Sequence, residues 1–83
     1  MASHQSREAA INCIKAAAMK YKSTIICRDE VQAFTGGALS SGHMANLDSK
    51  GKGPANPFKF GRRQCYSLES LVEWLISRVE VAK

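Results

Sequence analysis

The chain has 83 residues, 45% hydrophobic and 23% charged, enough for one small core and too few for two. A two-domain enzyme is thereby excluded, and little of the chain is left to line a deep substrate pocket. Twelve Lys and Arg against seven Asp and Glu leave a formal charge of +5, which favours a polyanionic partner, the plain alternative being solubility.

In chain order, the first predicted element is an Ala-rich amphipathic helix from about Ser6 to Tyr21. It carries Ile11, Ile14, Ala18 and Tyr21 at spacings of three and four, with Ala10 and Ala17 beside them. Ser6 is the expected N-cap, and Lys15, Lys20 and Lys22 lie toward the negative end of the helix dipole. Residues 24–27 form a short β-branched run, suited to one small strand or an extended lead-in. Asp29 and Glu30 mark the start of a short helix with the apolar pair Val31 and Phe34, stopped by Thr35, Gly36 and Gly37. Ser40 and Ser41 are N-cap candidates for a further helix in which Leu39, Met44 and Leu47 recur on one side. Two short helices about a glycine turn have the outline of a helix-turn-helix, a pattern that purely structural helical hairpins also show.

Between Lys50 and Pro57, two prolines and two glycines exclude helix and predict a flexible loop. Phe58–Phe60 and Gln64–Tyr66 read as two short strands joined by Gly61, Arg62 and Arg63, a β-hairpin with a basic tip. By alternation Phe58 and Phe60 share one face, expected to pack under the last helix, although with Tyr66 they also suit a base-stacking platform. Ser67 caps that helix, and Leu68, Leu71, Val72, Leu75 and Val79 trace its apolar stripe, widened by Trp74 and Ile76.

Charge is unevenly distributed along this plan. Lys50, Lys52, Lys59, Arg62 and Arg63 fall between Ser49 and Tyr66 with no acidic residue among them. This stretch reads either as a phosphate-contacting surface or as a solvated face. Cys13, Cys27 and Cys65 are odd in number and widely spaced, which fits free thiols in a reducing compartment. Cys13 and Cys27 are expected to serve as small buried hydrophobes. No C-x-x-C or H-x-x-x-H pairing pre-forms a metal site around His4 or His43, so neither metal nor cofactor is expected. The first 22 residues lack the apolar core of a secretory signal and read as mature protein, and no apolar run approaches the roughly 18 residues of a membrane span. A soluble, cytoplasmic protein without a membrane partner is the expectation.

From Ile26 to Arg78 the chain resembles the excisionase or AlpA-type, MerR-like winged-helix DNA-binding proteins of phages and mobile elements. The resemblance lies in Asp29 to Gly36 (Asp-Glu-Val-Gln-Ala-Phe-Thr-Gly), in Pro57 to Arg63 (Pro-Phe-Lys-Phe-Gly-Arg-Arg) followed by Tyr66, and in Ser67 to Leu75 with its Trp-Leu pair. It implies a mainly α fold with a small β-hairpin, a winged helix-turn-helix over residues 24–83 with an additional N-terminal helix over 1–23. That extra helix either braces the core or mediates self-association. The resemblance further implies that the helix at about Ser40 to Ser49 reads the major groove, with Ser41, His43 and Asn46 exposed and Met44 and Leu47 turned inward. The hairpin would then lie over the backbone or in the minor groove. Ser41, Gly42 and His43 depart from the long polar residues that members present at the start of this helix, and the link to the hairpin is longer than in compact members.

The physical chemistry of these residues agrees with such a role. Arg62 and Arg63 carry guanidinium forks matched to phosphate oxygens and to a narrow minor groove, and Lys59 adds a point charge beside them. Asn46 has the geometry for a bidentate pairing with adenine, and Ser41 and His43 suit bases or phosphates. Lys50 and Lys52 read equally as phosphate contacts or as exposed charges, and Arg28 as a phosphate contact, a cap or an ion-pair partner. The expected function is sequence-specific binding of double-stranded DNA, as an excisionase-like recombination directionality factor or a small transcriptional regulator. An excisionase would engage an integrase or another DNA-bound protein and assemble on repeated sites. The competing expectation is a protein-interaction module, an antirepressor or adaptor that kept the scaffold and lost base reading. No catalytic residue is assigned, because no Ser-His-Asp or Cys-His arrangement has supporting context and no glycine-rich loop follows a strand into a helix.

Overall fold

The computed structural model describes residues 2–80, with side chains from residue 7 onward. Helix α1 (Ala2–Lys20) opens the chain. It begins four residues earlier than expected, because no Gly or Pro in residues 2–5 interrupts it, and Ser6 therefore lies inside the helix instead of capping it. Its apolar stripe of Ala10, Ile11, Ile14, Ala17, Ala18 and Tyr21 is half-buried along its length. None of these residues reaches the fully buried core. The helix packs on the flank of the last helix and leaves Met19 88% exposed. Cys13 is exposed as well, so the sequence expectation of a buried thiol there is wrong; it falls just outside the apolar stripe.

Strand β1 (Ile25–Cys27) follows and runs into a 3-10 turn at Arg28–Glu30, then α2 (Val31–Phe34). Thr35 organises the stop after α2. Its Oγ1 donates to the Val31 carbonyl at 2.9 Å and accepts from the Leu39 N–H at 3.2 Å, binding both ends of the turn together. Gly36 and Gly37 adopt φ of +68° and +92°, a region that side chains with a Cβ rarely enter. Helix α3 (Ser41–Ser49) is capped by Ser40, whose Oγ accepts from the His43 N–H at 3.1 Å.

Strands β2 (Phe58–Phe60) and β3 (Arg63–Ser67) form the expected hairpin. The turn is tighter than predicted. Phe60 pairs with Arg63, which leaves Gly61 and Arg62 as a two-residue turn with Gly61 at φ +60° and places Arg63 in the strand. Of the two expectations for residues 24–27, a small strand or an extended lead-in, the structure shows the strand: β1 joins the outer side of β3, giving an antiparallel sheet in the order β1-β3-β2. Helix α4 (Leu68–Ser77) is capped by Ser67 Oγ, which accepts from the Ser70 N–H at 3.0 Å. α4 ends before Val79, with Arg78 over the Trp74 ring at 4.8 Å, so Val79 extends the apolar stripe from outside the helix. Among the described residues the result is four α-helices and a three-stranded antiparallel sheet.

The core is Ile26, Val31, Met44, Tyr66 and Leu71, all fully buried, with Phe34, Leu39, Leu47, Leu68, Trp74 and Leu75 packed around them. Each buried aliphatic side chain stabilises the fold by about 2 kcal/mol. Ile26 and Tyr66 are opposite one another in register and define the core face of the sheet. Phe58 pairs with Cys65, so alternation sends Phe58 and Phe60 to the other face. The predicted packing of both under the last helix is therefore incorrect. They meet edge to face, with ring centres 5.5 Å apart, and Phe60 stays 60% exposed.

The stretch expected to be a flexible loop is docked. Pro54 is buried, and Trp74 Nε1 donates to the Lys52 carbonyl at 2.8 Å. Gly53 lies so close to α3 that a Cβ there would fall 2.2 Å from Asp48 Oδ1.

Candidate nucleic-acid interface

The start of α3 and the tip of the β2–β3 hairpin face each other across an open cleft of about 320 Å³, lined by Arg28, Asp29, Ser41, Lys59, Arg62, Arg63 and Gln64. Two local causes position these residues. The Ser40 cap sets where α3 begins, leaving first-turn N–H groups with no acceptor inside the helix and the positive end of its dipole beside Ser41. The two-residue turn sets the hairpin register, which places Lys59 opposite Gln64 on the same face as Tyr66.

Five of the nine residues singled out in the sequence, Arg28, Ser41, Lys59, Arg62 and Arg63, thus converge on one cleft. Ser41 is half-buried, not fully exposed as expected, while His43 and Asn46 are exposed on α3 and Met44 and Leu47 turn inward. These two exposed residues do not line the cleft, and neither do Lys50, at the C-terminal cap of α3, and Lys52 beyond it.

Not all of the cationic side chains have the same freedom. Arg63 donates from one guanidinium nitrogen to both carboxylate oxygens of Asp29, at 2.8 and 3.0 Å, with both side chains more than half exposed. This pairing raises the Arg63 pKa above its ordinary value. Arg28 is held more deeply. Its guanidinium donates to Asp48 Oδ2 at 2.7 Å and to the Tyr66 hydroxyl at 3.3 Å, and Tyr66 in turn donates to the same Asp48 oxygen at 2.5 Å. Burial opposes charge on Arg28, but the hydrogen bonds to Tyr66 and Asp48 outweigh it and keep the guanidinium above its usual range. Burial, followed by the Asp48 hydrogen bond, pushes the Tyr66 hydroxyl up to about 12. Of the three roles considered for Arg28, the structure shows the ion pair, with Asp48 as its counter-ion. Lys59 and Arg62 make no ion pair among the described residues.

In the sequence Asp48 carries no signal for this site, Asp29 signals only the start of a short helix, and Tyr66 only an aromatic after the hairpin suited to base stacking. Asp48 and Tyr66 lie 20 and 38 residues from Arg28, and no local pattern announces such a triad.

Among the described residues, no cluster of three or more His, Cys, Asp or Glu is placed to hold a metal ion, and no helix is long and apolar enough to cross a membrane. No protein-family model matches the chain, and no curated protein or solved structure matches it either.

Proposed function

We propose that this chain is a sequence-specific double-stranded DNA-binding protein of winged-helix type, without enzymatic activity. In this reading it serves as an excisionase-like recombination directionality factor or a small transcriptional regulator. One observation carries the reading: Lys59, Arg62 and Arg63 on a two-residue hairpin face the N-terminus of α3 across a single cleft. Arginine forks, an ammonium group and a positive helix end converging from two elements form an arrangement suited to a phosphodiester backbone. α3 then enters the major groove with His43 and Asn46 outward, and the hairpin follows the backbone or the adjacent minor groove. Lys50 and Lys52, beyond the far end of α3, add phosphate contacts or electrostatic steering. An integrase or another DNA-bound protein, and further copies of the chain on repeated sites, are the partners this role requires.

The test is a salt series of binding to DNA from the gene's own neighbourhood and to random duplex, for wild type and the Arg62→Ala, Arg63→Ala double variant. Selective binding that weakens steeply with salt and collapses in the variant supports the proposal. Weak, equal binding to both duplexes, unchanged by the substitutions, overturns it in favour of a protein-interaction module. The observation favouring that second reading is the short-chained start of α3, where Ser41 and Gly42 offer little reach toward a base edge.

A further inference from the structure

We propose that Cys27 and Cys65 form a reversible intramolecular disulfide, which makes the β1–β3 pair a redox-responsive cross-link. The inference stands independently of DNA binding. The two residues are directly opposite in the antiparallel register, and their sulfurs lie 3.4 Å apart. A disulfide needs about 2.05 Å between sulfurs, so closing the gap requires side-chain rotation and small backbone adjustment, with no change of strand pairing.

Their exposure differs in a way that assigns an order of events. Cys27 is half-buried and open to a small reagent, whereas Cys65 is fully buried behind it. Cys65 directs its thiol toward the Arg63 carbonyl at 3.6 Å, which leaves Cys27 as the donor in the contact between the two sulfurs. That hydrogen bond, then burial, holds the Cys27 thiol above its ordinary pKa, reinforced by Glu30 and opposed by Arg63. In the resting state Cys27 is thus held in its thiol form.

The oxidant is a low-molecular-weight disulfide. The Cys27 thiolate attacks one of its sulfurs, the external S–S bond breaks, and the first small thiol leaves. Cys65, as thiolate, then attacks Cys27 Sγ in the mixed disulfide and expels the second small thiol. Two cysteine thiols are oxidised, one external disulfide is reduced to two thiols, and both cysteine protons end on the released thiols. Cys13 is exposed on α1 and stops at the mixed disulfide.

The decisive experiment treats folded Cys13→Ser with glutathione disulfide at mildly alkaline pH, followed by intact mass and non-reducing peptide mapping. Wild type is run in parallel as a check on folding. The expected result is loss of both thiols in a monomer with no retained glutathione, a linked Cys27–Cys65 peptide pair, and recovery of both thiols on reduction. In wild type the same link forms while Cys13 carries the adduct. Both thiols surviving in the folded protein, Cys27 persisting as a glutathione adduct, or linkage only between molecules would each overturn the proposal.

Discussion

Asp29 and Arg63 form a side-chain ion pair two residues past the last pair of the β1–β3 ladder, where Asp29 already lies in the 3-10 turn. Cys27 lies opposite Cys65, and two residues further along each chain the carboxylate meets the guanidinium at 2.8 Å. A cation on the hairpin is therefore already occupied by an acidic group of the same molecule. A phosphate must compete with Asp29 for it, in an exposed setting where solvent screens the pair and leaves it weak.

Replacing Asp29 by Asn is accordingly expected to raise affinity for any duplex severalfold and to steepen the dependence of log K on log salt by about one unit. Fluorescence anisotropy over a salt series reads both quantities. Unchanged affinity and slope would show that Arg63 does not meet phosphate.

The Arg28–Asp48–Tyr66 triad predicts graded losses of stability. Tyr66→Phe removes two hydrogen bonds, one donated to Asp48 and one accepted from Arg28, and leaves the ion pair, at a cost of about 2 kcal/mol. Asp48→Ala strands a largely buried guanidinium and is expected to cost about 3 kcal/mol. Urea unfolding of the two variants against wild type checks the order, and equal losses would mean that the carboxylate and hydroxyl do not act as described.

Both tyrosines have raised pKa values, Tyr66 mainly through burial and Tyr21 through burial followed by its hydrogen bond to Glu30, each reaching about 12. A group whose folded pKa lies above its unfolded value of 10 contributes stability that is complete below pH 10 and is lost as pH rises toward 12. Tyrosinate absorbance in the folded protein should therefore lag behind that of the denatured chain, and stability should fall through this alkaline window. The fall should be shallower in Tyr66→Phe.

Gly53→Ala is expected to destabilise the fold by about 2 kcal/mol, because the new methyl collides with Asp48 and the docked loop must shift. Gly42→Ala provides the contrast. It meets nothing within 4 Å in the exposed first turn of α3, and it should raise helix stability by up to about 1 kcal/mol. Thermal melts of the two variants should move in opposite directions.

Much of this architecture was legible from local signals. Ser40 and Ser67 cap helices because a hydroxyl followed by an apolar period leaves few other options, and Gly61 between two alternating runs marks a hairpin. The long-range polar contacts were not legible, since the distance from Arg28 to Asp48 and Tyr66 is set by the packing of α3 on the sheet. The face taken by Phe58 and Phe60 was hidden for a related reason. Moving Arg63 from the turn into the strand changes which residues stand opposite, and with them which side of the sheet each side chain occupies. The loop at residues 50–57 misled in another way. Its glycines and prolines exclude a helix, but they say nothing of the indole of Trp74 that fastens its backbone.

The single oxygen Asp48 Oδ2 receives both Arg28 and Tyr66, and so joins α3 to the strand that carries the hairpin. With that joint made, the C-terminal end of α3 and the hairpin strand belong to one hydrogen-bonded frame, so a change at Asp48 is felt by both elements that carry the cleft.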